Sequence, residues 1–502
     1  VNTKNIIFST FIGFTILIVS VFLGSEIATE NYSSVLIGLL IAFVVIYVTF
    51  LYKKAFIILF LLSFSGITVA LPFGDIRCVH IAILLFVVTF AYDFLMHPRL
   101  SLKINEYKKG FLFYLIATCI IGFMYLYQIV DPVNPFEFSS KQTLKALLET
   151  LAPFLVLCAW CFKNDATVFK LRSTRQLYLV LGGILLCHIG FRLYLISIGA
   201  LDEGPDADVS LSDYSVFGPL SISSYVLRGI GPLGALIGAF SFFHWSETKP
   251  GTQNKRSMQV ISLSLFILGL FGALLSAGRG SLIMVILGVI VAMIYYRRFI
   301  LFFICVASFF LLVAVLNVFS SVVQDKLPDA VSRTLTLFII EDDSAASMSV
   351  DSSSNWRKEL GEMAYDEWVS DPDIFIRGRG VYTYTDFDIL SIQVYGGYEA
   401  KMYTSLKTAN AHTNFLSLAL KFGLIGIVLY YGLYLIILSA SLKFIKSQRH
   451  TLHPLYLVSF TLLVIMFPLS FITGGGMSFP LLLLLLSSRF KIQQDEAIAE
   501  LA

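Results

Sequence analysis

Ala411-His412-Thr413-Asn414-Phe415-Leu416-Ser417-Leu418-Ala419-Leu420-Lys421-Phe422-Gly423-Leu424-Ile425-Gly426 marks the junction where the polar segment 320–412 gives way to a membrane-length apolar run. That segment is the one long interruption in an otherwise hydrophobic chain. Of the seven histidines, His412, placed where the long polar loop meets a membrane helix, is the one whose position suggests chemistry.

Outward from this junction the composition decides the class. Hydrophobic residues make up 57% of the chain and charged residues only 14%. Apolar runs of about 18 to 20 residues recur along the whole length, each long enough to cross a hydrocarbon core. The expectation is an all-α, polytopic transmembrane bundle with one large structured loop outside the membrane. About fourteen spans are predicted, near 5–24, 33–52, 55–73, 78–95, 110–130, 144–162, 177–199, 229–245, 258–276, 281–296, 299–318, 413–440, 454–473 and 478–488. Four regions follow: N-terminal helices over 1–257, helices carrying an Arg279 turn over 258–319, the loop 320–412, and C-terminal helices over 413–502. The first run follows Lys4 without an Ala-x-Ala cleavage pattern, so it reads as a retained helix. A net charge of +3 gives no reason to expect a nucleic-acid partner.

Charge alternates between connections. Lys53, Lys54, Arg99, Lys103, Lys108, Lys109, Lys163, Lys170, Arg172 and Arg175 fall on one face, as do Lys249, Lys255, Arg256, Arg297, Arg298, Lys443, Lys446, Arg449, Arg489 and Lys491. By the positive-inside rule that face is cytoplasmic and holds both termini. The opposite connections carry Glu26, Glu30, Asp131, Asp202, Glu203, Asp206, Asp208 and Asp213, and the loop 320–412 lies with them.

Cys78, Cys119, Cys158, Cys161, Cys187 and Cys305 all sit in or beside apolar runs. Cys158-x-x-Cys161 has metal or redox spacing, but with no second pair nearby it reads as small core residues. The outer loop has no cysteine and must be held by packing. Within it, 341–355 is a polar, Ser-rich strip expected to be mobile. Trp356, Leu360, Met363, Ala364 and Trp368 then fall on one helical stripe that Asp371-Pro372 terminates. Tyr382, Tyr384, Phe387, Tyr395, Tyr398 and Tyr403 crowd the stretch after it, which suits either sugar rings or a leaflet boundary.

Two cations stand out. Arg279, in Ser276-Ala277-Gly278-Arg279-Gly280-Ser281, occupies a short turn between membrane helices; it is either an anchor at the interface or a ligand for an anion. Arg357 opens the amphipathic helix, as a surface charge or for the same anion. Arg192, Arg228 and Arg333 are further candidates, and Arg77 is a boundary residue. His412 precedes a helix whose positive end disfavours an imidazolium. It is therefore either a capping residue or a base held neutral near pH 7.

The Ser276-to-Ser281 turn, the external loop with its Arg357 helix, Ile376-Arg377-Gly378-Arg379-Gly380-Val381, and Ala411-His412-Thr413-Asn414 with its trailing Gly423-Leu424-Ile425-Gly426 together resemble the O-antigen polymerase and O-antigen ligase superfamily, over roughly residues 260–440. Members commonly have His-Asn where this chain has His412-Thr413-Asn414. The resemblance implies a metal-independent, inverting glycosyltransferase without cofactor in the inner membrane of a Gram-negative bacterium, its active site facing the periplasm. It takes a glycan from undecaprenyl diphosphate to a sugar hydroxyl in lipopolysaccharide or other surface-glycan biosynthesis. Arg279 and Arg357 stabilise the diphosphate, His412 takes the proton, and Arg192, Arg228, Arg333, Asn414 and Tyr398 bind substrate. Its partners are the lipid-linked oligosaccharide, the bilayer and a chain-length regulator protein.

Three Asp-x-Asp pairs, Asp206/Asp208, Asp371/Asp373 and Asp386/Asp388, are the candidates if a metal were used. The long N-terminal set of spans and the 45 phenylalanines favour a polymerase over a ligase, by analogy with the superfamily. A lipid-glycan flippase using Arg192, Arg228 and Arg279 is the reading from another class. It is disfavoured because neither internal repeats nor paired broken helices stand out.

Overall fold

Among the described residues, the membrane-length helices fall where the apolar runs predict. The computed structural model describes residues 67–71, 74–77, 167–169, 171–197, 213–217, 220–223, 226–247, 255–276, 278–319, 345–379, 411–447, 452–471 and 490–492, with isolated residues at 331, 335, 338–339, 402 and 405–406. The helices are α1 (Leu171–Ser197), α2 (Leu227–Glu247), α3 (Lys255–Leu275), α4 (Arg279–Tyr295), α5 (Phe299–Val318), α6 (Ala345–Ser370), α7 (Pro372–Arg377), α8 (Asn414–Ser447) and α9 (Pro454–Leu469). Each span predicted between 177 and 318, and both predicted between 413 and 473, is a helix. Among the described residues four helices, α1, α3, α5 and α8, are long and apolar enough to cross a membrane. The other predicted spans, the count of fourteen and Cys78, Cys119, Cys158 and Cys161 lie outside the described residues.

The all-α expectation needs one addition. Strands β1 (Ile67–Leu71), β2 (Gly74–Arg77), β4 (Asp213–Phe217) and β5 (Leu220–Ser223) form an antiparallel sheet in the order β2-β1-β5-β4. Strands β3 (Thr167–Phe169) and β6 (Phe490–Ile492) pair in parallel. The end of the span predicted at 55–73 is thus strand; Ile67-Thr68-Val69-Ala70-Leu71 is rich in β-branched residues, and Gly74 opens the partner strand after a short turn. Both pairings join segments that the charge alternation assigns to a common side. The described residues divide into two units: the four-stranded sheet belongs to one, and the helices with β3 and β6 to the other.

Within the helical unit, α2 and α3 pack most closely, and glycine is the reason. A Cβ on Gly231 would lie 2.6 Å from the Ala273 backbone nitrogen, on Gly238 2.4 Å from that of Phe266, and on Gly269 2.0 Å from that of Ala235. Lipid provides no hydrophobic drive between helices, so close backbone approach and the dispersion it allows hold them together. Leu185 of α1 closes one side of this seam against Gly234 and Gly272. By contrast α5 has only 6% of its apolar window buried, so it flanks the bundle with its surface left for lipid.

The longest helix is not one rod. At 34 residues α8 would run about 50 Å, well beyond a hydrocarbon core of about 30 Å. It breaks at Gly423, whose φ of 61° and ψ of −160° are not helical. The piece 414–422 is thereby separated from the spanning piece 424–447. The predicted span 413–440 was right in position and blind to this break.

Of the strip 341–355, expected to be mobile, residues 345–355 are instead the first part of α6, which runs continuously from Ala345, and 341–344 lie outside the described residues. Leu360 and Ala364 are fully buried and Trp368 nearly so, as the stripe predicts. Met363 is the exception, 40% exposed, because the buried face centres on Leu360, Ala364 and Trp368 and leaves it at the margin.

Candidate active site

The Arg279 turn is built by short polar side chains. Ser276 Oγ donates to the Ala273 carbonyl (2.7 Å) and accepts from the Gly278 amide (3.2 Å), which turns the chain out of α3 and into α4. Ser281 Oγ then donates to the Arg228 carbonyl (2.9 Å), and Arg228 Nε donates to the Ser276 carbonyl (3.3 Å). A Cβ on Gly278 would stand 3.2 Å from Arg228 Cγ, so the Arg228 side chain lies along the turn. Arg279 is the first residue of α4, where unpaired N–H groups and the helix dipole already favour an anion. The Arg228 side chain and the helix start that carries Arg279 thus meet at one small turn. Both α4 and α8 pack on α9, so the elements bearing Arg279 and His412 are joined through it.

The second cluster forms around His412. Thr413 caps α8, its Oγ1 accepting from the Leu416 amide (3.3 Å) and its carbonyl from the Ser417 amide (3.0 Å). Ser417 Oγ in turn accepts from the amide of buried Ala411 (3.0 Å). Held from both sides, His412 takes a left-handed φ of 52°. Non-glycine residues in that region cost on the order of 1–3 kcal/mol and persist only where their surroundings enforce them. The His412 ring meets Trp356 edge to face, with centroids 4.7 Å apart. Burial lowers its pKa from the ordinary 6.5, and the Arg357 guanidinium lowers it further. The imidazole is therefore neutral at pH 7 and available as a base.

Trp356 and Arg357 reach His412 because α6 and α7 are anchored onto α8. Two glycines meet backbone to backbone: a Cβ on Gly378 would lie 2.5 Å from the Lys421 carbonyl carbon, and one on Gly423 2.4 Å from that of Ile376. Gly378 has φ 75° and Gly423 φ 61°, both suited to glycine. The Arg379 amide donates to the Leu420 carbonyl (2.8 Å) beside the break in α8. Arg379 also pairs with Glu367 through its guanidinium and bonds the Leu406 carbonyl, with only 10% of its side chain exposed. Aromatic rings fill the remaining gap: Trp368 stacks on Phe375 (4.9 Å) and meets Phe415 edge on (5.9 Å), and Phe415 stacks on Phe471 (5.3 Å).

Of the residues singled out in the sequence, the structure thus brings Arg228 to the Arg279 turn and Arg357 to His412. Asn414 is the first residue of α8, and its side chain approaches the Tyr431 hydroxyl inside the bundle. Arg192 is buried in α1 at 8% exposure, one turn beyond buried His188. Arg333 and Tyr398 lie outside the described residues, with Asp206, Asp208, Asp386 and Asp388. Asp371 caps α7, its Oδ1 accepting from the Asp373 amide (2.7 Å), while Asp373 faces Arg377 across one turn (3.5 Å).

Sequence reasoning missed Arg379, the ring contact of Trp356 with His412, and the glycine contact at 378 and 423. Glycines inside a helical pattern do signal close backbone approach. The partner each would meet was not visible, since 45 residues separate them.

The chain matches no curated protein. Residues 264–431 match a family model described as O-antigen ligase, a stretch that begins in α3, carries the Arg279 turn, α6, α7 and His412, and ends in the spanning piece of α8. That segment, less than half of the chain, is similar to the O-antigen polymerase and ligase superfamily.

Proposed function

We propose that this membrane enzyme transfers a glycan from undecaprenyl diphosphate to a sugar hydroxyl on the periplasmic side of a bacterial inner membrane, and that it does so as a surface-polysaccharide polymerase. The observation that carries the reading is the His412 cluster: a neutral, left-handed histidine in contact with the tryptophan adjacent to Arg357, inside the matched segment. As the acceptor oxygen bonds to the anomeric carbon, its proton passes to the imidazole, and the carbon–oxygen bond to the diphosphate breaks with its electron pair leaving on phosphate. Attack from the face opposite the diphosphate inverts the anomeric centre. Arg279 and Arg357 meet the developing charge with forked, permanently protonated donors. Arg228 orients the Arg279 turn and adds a second guanidinium beside it.

The arginine role is tested by replacement. Arg279→Lys retains the charge and loses the fork, so kcat should fall roughly 10²-fold, near the loss of one preorganised oxyanion donor. Activity in EDTA should match activity in Mg²⁺. Full dependence on an added divalent ion would move the diphosphate contact to the aspartate pairs.

Polymerase is favoured over ligase by the many apolar runs that precede Arg279, which can shape a groove for a carrier-linked acceptor. The matching family model is described as O-antigen ligase, and the second reading is transfer of finished chains to lipid A core. Deletion of the gene separates them. A polymerase null leaves surface glycan capped with a single repeat unit, because ligation continues. Bare core, with long polymer accumulating on its carrier, would establish a ligase.

A further inference from the structure

Away from the candidate active site, the turn between α4 and α5 places two arginines side by side, Arg297 and Arg298. The turn closes through Tyr296 N to the Ala292 carbonyl (3.0 Å), Arg297 N to that of Ile294 (3.1 Å) and Arg298 N to that of Met293 (2.8 Å). Arg297 sits in its centre with φ 54°. Glycine ordinarily fills this left-handed position after a helix, and here an arginine does. Arg298 donates from Nη2 to Ser246 Oγ at the end of α2 (2.9 Å), while its Nε is buried and meets no hydrogen-bond partner among the described residues. Among the described residues, neither arginine has a carboxylate within ion-pair distance.

Beside the two arginines, between the end of α2 and the start of α5, opens a cavity of ≈ 620 Å³ with Phe242, Phe243, Phe299 and Ile304 among its walls. Arg298 is the N-cap residue of α5 but its side chain does not cap the helix amides, so the first amides of that helix add further donors at the same mouth. Beyond it, Ile300 and Phe303 are 80% and 67% exposed along the face left for lipid. An occupant must offer an anion to two guanidiniums and apolar chains to α5. Free phosphate meets only the first requirement and a neutral lipid only the second.

We propose that this pocket binds the headgroup of an anionic phospholipid, its phosphate held by Arg297 and Arg298 and its acyl chains lying along α5. The charge alternation puts this end of the helices in the cytoplasmic leaflet, where anionic lipid and juxtamembrane arginines attract each other. The site is separate from the glycan chemistry and stands whether or not that assignment holds.

The test uses the full chain purified in detergent, with bound lipid counted by native mass spectrometry and stability followed by thermal unfolding. Phosphatidylglycerol should remain bound and raise the Tm, and phosphatidylcholine of the same chain length should do neither. Arg297→Gly suits the left-handed backbone and Arg298→Gln retains a donor to Ser246, so the double variant should fold. It should carry one phosphatidylglycerol fewer and bind it at least tenfold more weakly; the single Arg297→Gly should show the same change in smaller degree. Undiminished phosphatidylglycerol binding by both variants would overturn the proposal. So would equal stabilisation by phosphatidylcholine, an equal shift from inorganic phosphate alone, or displacement of phosphatidylglycerol by an equal concentration of undecaprenyl phosphate.

Discussion

His412→Ala should abolish turnover while leaving the protein folded and able to bind its lipid-linked donor. The base acts on the acceptor hydroxyl, so its loss falls on kcat, about 10²- to 10⁴-fold, and not on capture of the diphosphate. Alanine removes the Trp356 ring contact but neither the Thr413 cap nor the Ser417 bond to Ala411, which hold the chain on either side. The wild-type pH profile carries the same signature. Because burial and Arg357 hold the imidazole below its ordinary 6.5, the neutral base persists into mildly acidic solution, and activity declines only as pH falls through that lowered value. Arg357→Gln should lower the rate and also move this acid limb toward higher pH, since removing a neighbouring positive charge lets the imidazole protonate more readily. A His412→Ala enzyme with near wild-type kcat, or an acid limb unmoved in Arg357→Gln, would reduce His412 to a boundary residue.

Gly423→Ala should be the most damaging single-methyl change in the loop anchorage. The backbone at Gly423 lies in a region L-residues rarely enter, which alone costs on the order of 1–3 kcal/mol, and the added Cβ would overlap the Ile376 carbonyl group at 2.4 Å. Rigid backbone stands on both sides, so neither can yield as a flexible side chain would. The expected result is a clear fall in Tm, faster proteolysis within 356–379, and loss of activity through displacement of Trp356 and Arg357 from His412. Gly361→Ala serves as the comparison, because its Cβ would meet only Leu416 Cδ1 at an ordinary 3.7 Å. Equal stability and protease resistance in the two variants would show that the glycine contact does not anchor the loop helices.

Much of the helical bundle is legible in the sequence because apolar length is a one-dimensional signal. The runs near 229–245 and 299–318 became α2 and α5 with ends shifted by a few residues at most. The stripe of Leu360, Ala364 and Trp368 was legible for the same reason: periodicity names the buried face without naming what covers it. Events set by tertiary contact were less visible. Residues 345–355 have the composition of a mobile linker yet continue a helix, and 67–71 look like the end of a span yet pair with 220–222. At the site, Arg279 was found from its place in a short glycine-flanked turn between apolar runs, and His412 from its place where polar loop meets apolar run. The Arg228 clamp, the Trp356 ring and the Arg379–Glu367 pair depend on contacts between elements, and sequence spacing does not encode those.

The most direct test of the account is to incubate the purified protein, in EDTA and without lipid A core, with a defined undecaprenyl-diphosphate oligosaccharide and follow product length by gel or mass spectrometry. The account predicts a ladder of carrier-linked chains growing by whole repeat units, formed by the wild type and absent for His412→Ala. Donor that stays unchanged until lipid A core is added, and is then transferred whole, would contradict it.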